Sequence, residues 1–149
     1  MPVICSPAME YAAKPLEWGL REMLKDEAKN VTILLGTMSQ EGVTGCTTVK
    51  SMANNTFVVL INPFACMIEG QLLETLFHEL DHVVAYYYGE LFEMPGYVVY
   101  RNVRYKDNVP VDSPEYGNLP WELSATKTEK RLATLYRYVI ENEGEPKGI

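Results

Sequence analysis

Seven apolar residues, Leu72, Leu73, Leu76, Leu80, Val83, Val84 and Tyr87, recur at helical spacing through residues 68–88, and Gly89 follows as a stop. A helix this long and apolar has to be largely buried, so the rest of a 149-residue chain must fold around it. A chain of this size buries roughly two thirds of its unfolded surface, enough for one core, and a single domain over residues 1–149 is expected. The same helix carries both histidines of the chain, in "FHELDH", residues 77–82.

Around this helix the pattern reads as α+β. Residues 15–29 place Leu16, Leu20, Met23, Leu24 and Ala28 on one side of an N-terminal helix, with Pro15 in its first turn. Three β-type runs follow, 31–35, 43–49 and 56–61, which imply a small three-stranded, mainly antiparallel sheet. Residues 90–119, with Pro and Gly around "YVVYRNVRY", read as a long irregular connection with room for one strand pair. A last helix spans 121–141, with Leu123, Leu132, Leu135, Tyr136 and Val139 as core. Residues 1–14 are a candidate mobile or cleft-covering segment, and 142–149 a mobile tail.

Four positions apart on a helix, His78 and His82 lie on one side and can both present a nitrogen to one ion about 2.0–2.1 Å away. Glu79, roughly 100° further around the axis, can reach a metal-held water without taking a coordination position, which suits a general base. The line Gln71, Thr75, His78, His82 lies on another side from the apolar stripe and suits a helix that faces a cleft. A catalytic zinc needs a third protein ligand and leaves its fourth position to water. With no further histidine, that ligand is a carboxylate or a cysteine. Glu122, opening the last helix, is the best carboxylate, although acids in a first turn are also favoured by the helix dipole alone. Thr126 and Glu129 share its side and are candidates to orient a histidine. To stabilise a developing oxyanion the long connection offers Tyr97, Tyr105, Tyr116, Arg101 and Arg104, with Tyr116 favoured because "SPEYGN" holds it in a turn near Glu122.

Charge and cysteines narrow the setting. A net charge of −7 disfavours nucleic acid and anionic membrane surfaces as partners. No apolar run approaches the roughly 18–20 residues of a membrane span, and no basic segment followed by an apolar one opens the chain as in a signal peptide. Cys5, Cys46 and Cys66 are scattered without CxxC spacing, so neither a disulfide framework nor a thiolate zinc site is indicated. A soluble, cytoplasmic protein is expected.

"TFVVLIN" before the central helix, "HELDH" within it and "PWELSATKTEKRLA" after it resemble the gluzincin metallopeptidases, most nearly the minimal single-domain minigluzincins and related phage-type small peptidases. The resemblance implies a zincin-like fold with Zn²⁺ on His78, His82 and Glu122. It also implies that Glu79 activates a zinc-bound water for peptide hydrolysis, and that Thr56–Ile61 is the edge along which a peptide aligns. Two positions depart from the pattern: Ser124 stands where the small peptidases usually have a second Glu, and Thr126 where larger gluzincins often have Asp. Minimal gluzincins can also close their own cleft, which would make the N-terminal segment a plug and Cys5 a blocking ligand. In isolation "HELDH" better matches the His-Glu-x-Asp-His of peptide deformylases, whose third ligand is a cysteine, but "QEGVTGCTT" separates Glu41-Gly42 from Cys46 and lacks their Leu-Ser, and their Gly-rich motif is missing. A non-catalytic zincin-fold binding module is the other alternative, against which the presence of Glu79 argues.

Overall fold

In a computed structural model that describes residues 2–66 and 69–143, the apolar helix is α2, Glu69–Tyr87. Before it come β1 (Val3–Ile4), α1 (Glu10–Leu24), β2 (Thr32–Thr37), β3 (Gly45–Ser51) and β4 (Thr56–Ile61). After it come β5 (Leu91–Met94), β6 (Tyr97–Tyr100), β7 (Val103–Lys106), α3 (Pro114–Gly117) and α4 (Pro120–Glu143). The architecture is α+β, and no helix among the described residues is long and apolar enough to cross a membrane.

The first sheet corrects the antiparallel expectation. Its order is β1-β2-β4-β3, with β1 and β4 parallel to β2 and only β3 antiparallel to its neighbour. The segment between β2 and β3 carries the chain past the place that β4 later fills. β4 therefore lies inside the sheet, and the edge expected at Thr56–Ile61 belongs instead to β3. Composition explains the arrangement: "TFVVLI" buries every second residue, as an interior strand must, whereas "GCTTVKS" is polar and half-exposed, as suits an edge.

α1 begins earlier than expected, after a 3-10 turn over Pro7–Met9, so Pro15 sits inside the helix. Burial of Ala12, Ala13 and Leu16 on either side holds the helix together across the backbone bond that proline cannot donate. The N-terminal segment is not a plug. Val3–Ile4 pairs with β2 at the sheet edge opposite β3, and Cys5 packs half-buried against the core. Of the expected mobile tail, residues 144–149 lie outside the described residues, as does Ile68 at the expected start of α2.

The core lies where α1, α2 and α4 meet. Trp18, Phe77 and Tyr136 form an aromatic trio with centroids 5.0 to 6.1 Å apart, flanked by the fully buried Leu16, Leu20, Leu76, Leu80 and Leu132. On α4, Leu132 and Tyr136 are buried and Val139 is half-buried, but Leu123 and Leu135 face solvent, with Trp121, Ala125 and Ala133 taking the core positions.

The connection between α2 and α4 is more regular than expected. Gly89, at φ 73°, ends α2, and the Glu90 N–H donates to the Ala85 carbonyl five residues back. β5, β6 and β7 then form an antiparallel sheet whose second hairpin turns through Arg101 and Asn102, both at positive φ (49° and 70°), as a tight two-residue turn needs. Tyr100 and Tyr105 pack on Trp121, which attaches this sheet to the start of α4.

α1 and α2 touch at Gly19, where a Cβ would lie 2.8 Å from both Leu80 Cδ2 and Phe77 Cε1. Both of those side chains are fully buried and have no room to yield. Gly19→Ala is expected to destabilise the fold by about 1–3 kcal/mol despite better helix propensity; denaturant unfolding measures this, and an unchanged midpoint would contradict the close approach.

Candidate metal centre

α2 presents His78, His82 and Tyr86 along one face at intervals of four residues, and α4 lies beside it with Glu122 buried in its first turn. Pro120 starts α4, where a missing N–H costs nothing, and this places Glu122 level with the histidines. One carboxylate then meets both rings: Glu122 Oε1 lies 2.8 Å from His78 Nε2, and Oε2 lies 3.1 Å from His82 Nε2. The ligand atoms of His78, His82 and Glu122 all fall within 4.8 Å of one another, so this His/His/Glu group could hold a metal ion. Donors about 2.1 Å from a tetrahedral ion sit roughly 3.4 Å apart, so the two Glu122 contacts would open slightly and the wider separations would draw in by up to about an ångström to admit one.

Outer contacts fix one ring more firmly than the other. His78 Nδ1 lies 3.0 Å from Glu129 Oε1, two turns along α4 from Glu122, so Glu129 orients His78 as its position on that side suggested. Its partner in that expectation, Thr126, lines the cleft. Nδ1 of His82 is buried with no hydrogen-bond partner among the described residues. Asp81 does not touch the histidines. It is buried and accepts from Ser124 Oγ at 2.9 Å and Thr128 Oγ1 at 2.7 Å, tying α2 to α4.

The cluster opens into a cleft of about 500 Å³ lined by β3, α2, the β5–β7 sheet, α3 and the start of α4. No described residue before Gly42 lines it, which separates it from the N-terminal segment. Glu79 faces the same cleft but stands outside the ligand group; the residue is 5% exposed and its carboxylate accepts from Thr47 Oγ1 on β3 at 2.7 Å. Tyr116 comes from α3 into the cleft beside Glu122, whereas Tyr97, Tyr105, Arg101 and Arg104 do not line it. Arg101 pairs with Glu90 on the surface, and Arg104 stacks over Tyr97.

Electrostatics follow from this crowding. Burial opposes the charge on His78, but the carboxylates of Glu122 and Glu129 outweigh it and raise the ring from its ordinary 6.5 to about 10. Burial likewise opposes the Glu122 carboxylate, yet hydrogen bonds from both histidines bring it down to about 2. Burial raises Glu79 against the pull of His82, His78 and Thr47, moving a carboxylate in the direction a general base requires. Tyr116 is raised by burial and by Glu122, and stays a hydroxyl donor. Cys46, also in the cleft, is raised by burial and by Glu79, so its sulfur stays a thiol and it is not among the ligand group.

Sequence reasoning weighed Cys46 only as a deformylase-type ligand and missed Thr47, Tyr86 and Glu93 in this cleft. Tyr86, which donates to Glu93 at 3.0 Å, was signalled by its spacing of four from His82; the strand residues carried no signal without the strand order. Compared with protein-family models, curated proteins and solved structures, the chain matches none.

The metal-free site has a definite pH signature. Because the His78 pKa is raised on folding, its stabilising contribution is complete below about 6.5 and is lost as pH rises through about 10. The contribution of Glu122, whose pKa is lowered, is complete above 4.5 and is lost as pH falls through about 2. Chelator-treated protein is therefore expected to lose thermal stability between pH 7 and 10, and a bound divalent metal, which replaces the His78 proton, should flatten that slope. Melting curves across this range test it, and a metal-free midpoint independent of pH would contradict the pairing.

Proposed function

We propose that the protein is a zinc-dependent peptidase of the gluzincin kind, with His78, His82 and Glu122 holding the ion and Glu79 carrying the proton. One observation supports this reading above the rest: a His/His/Glu group shares its cleft with a buried carboxylate that is close by yet outside the group. A site serving only to staple α2 to α4 has no use for that fourth group. Zinc held there supplies a Lewis acid that polarises a carbonyl and acidifies water to a pKa near 7.

The chain's own residues do the remaining work. Glu79 accepts a proton as the nucleophile attacks and returns it to the leaving amine, and its burial matches it to that exchange. Tyr116 donates to the oxygen on which negative charge develops. The unpaired edge of β3, whose Gly45, Cys46 and Thr47 line the cleft, offers backbone groups to an extended peptide, which favours peptide over small-molecule amides.

Purified protein is expected to bind one zinc per chain and to cleave a quenched-fluorescent peptide library. Glu122→Ala should lose zinc, whereas Glu79→Gln should keep it and lose about 10²–10⁴ in turnover. Zinc well below one per chain in the unmutated protein would overturn the reading, and full zinc with no cleavage of any peptide would favour the binding module.

A further inference from the structure

The shortest polar contact of Glu79 comes from the edge strand and not from a histidine. Thr47 Oγ1 lies 2.7 Å from Glu79 Oε1 and 3.2 Å from the Glu79 backbone carbonyl. A hydroxyl has one proton to give, and the shorter contact to a charged oxygen takes it. Oε1 is thereby held, on a side chain that lines the cleft. A glutamate has three rotatable bonds, so a buried one keeps its aim only if something fixes its head.

Gly45 supports the same contact. A Cβ there would meet Thr75 Cγ2 at 2.9 Å, the Leu60 carbonyl at 3.0 Å and Glu79 Cγ at 3.3 Å. The β3 backbone thus lies against the side chains of Thr75 and Glu79 on α2, in space that a side chain at residue 45 would need. The Asn62 N–H donates to the Thr44 carbonyl at 2.7 Å and fixes the start of the strand.

We infer that Thr47 is a positioning residue that aims the Glu79 carboxylate, with Gly45 setting the approach that lets it do so. The inference rests on the reading of Glu79 as the proton carrier. It also makes one strand do two things, since the backbone edge offered to a peptide belongs to the residue that orients the carboxylate.

Thr47→Val keeps the shape and removes the hydroxyl, and Thr47→Ser restores it. In zinc-loaded protein acting on a quenched-fluorescent peptide, Val is expected to lower kcat about tenfold or more, with KM within about twofold and one zinc per chain. Ser should recover kcat to within about threefold. A readout independent of activity is a double-mutant cycle on chelator-treated protein: Thr47→Val should lower the unfolding midpoint more in the presence of Glu79 than in a Glu79→Ala background. Zero coupling in that cycle, an unchanged kcat in Val, a loss confined to KM, or failure of Ser to recover would each overturn the assignment of Thr47. If Glu79→Gln itself retains turnover, the reading of Glu79 falls instead, even where the cycle shows the hydrogen bond.

Discussion

Asp81 on α2 accepts hydrogen bonds from Ser124 and Thr128 on α4, and the placement of every candidate ligand depends on this buried join. Apolar helix faces tolerate small slips, because Leu and Ala surfaces offer many near-equivalent packings. A buried carboxylate does not, since losing its donors strands a desolvated charge. Sliding α4 by one turn, about 5.4 Å, would part Asp81 from both hydroxyls and move Glu122 and Glu129 away from the histidines together. The apolar trio of Trp18, Phe77 and Tyr136 holds the helices against each other, and the polar seam decides their register.

The sheet contributes in a different way. Its interior strands β2 and β4 bury alternate apolar residues, and that leaves the more polar β3 on the edge beside α2. As the edge strand, β3 has a free backbone side, and with no side chain at residue 45 it lies close against α2, where Thr47 reaches Glu79. On the far side of the cleft the β5–β7 sheet is anchored by Tyr100 and Tyr105 on Trp121, one residue before Glu122. The packing that attaches that wall therefore also seats the candidate third ligand.

Local signals explain which parts could be read from the chain alone. The periodicity of α2, the His78-Glu79-x-x-His82 spacing and the proline-started helix bearing Glu122 and Glu129 are each written within a few residues. The strand order is not, because short runs joined by turns read as a meander whether or not a later strand inserts between them. Thr47 was invisible for that reason, and the peptide edge went to the more apolar Thr56–Ile61, which is interior. The strand pair allowed for in "YVVYRNVRY" is the hairpin at Arg101 and Asn102, whose turn was hard to place because its positive φ angles fall on residues other than glycine, and the third strand, β5, was not read. Asp81 entered the sequence reading only as the aspartate of a deformylase-like motif, because the hydroxyls that satisfy it lie more than forty residues away.

The two histidines are not equivalent, and their outer contacts say how they differ. His78 offers Nε2 to Glu122 while Nδ1 faces Glu129, so an ion that replaced the proton on Nε2 would leave the contact with Glu129 in place. His78 is thus the more firmly oriented of the two candidate ligands. His82 is held through Nε2 alone, and the orphaned Nδ1 makes its ring pose the less determined of the pair. One candidate ligand is therefore held from both ring nitrogens and the other from one, on a helix that Asp81 joins to the helix bearing Glu122.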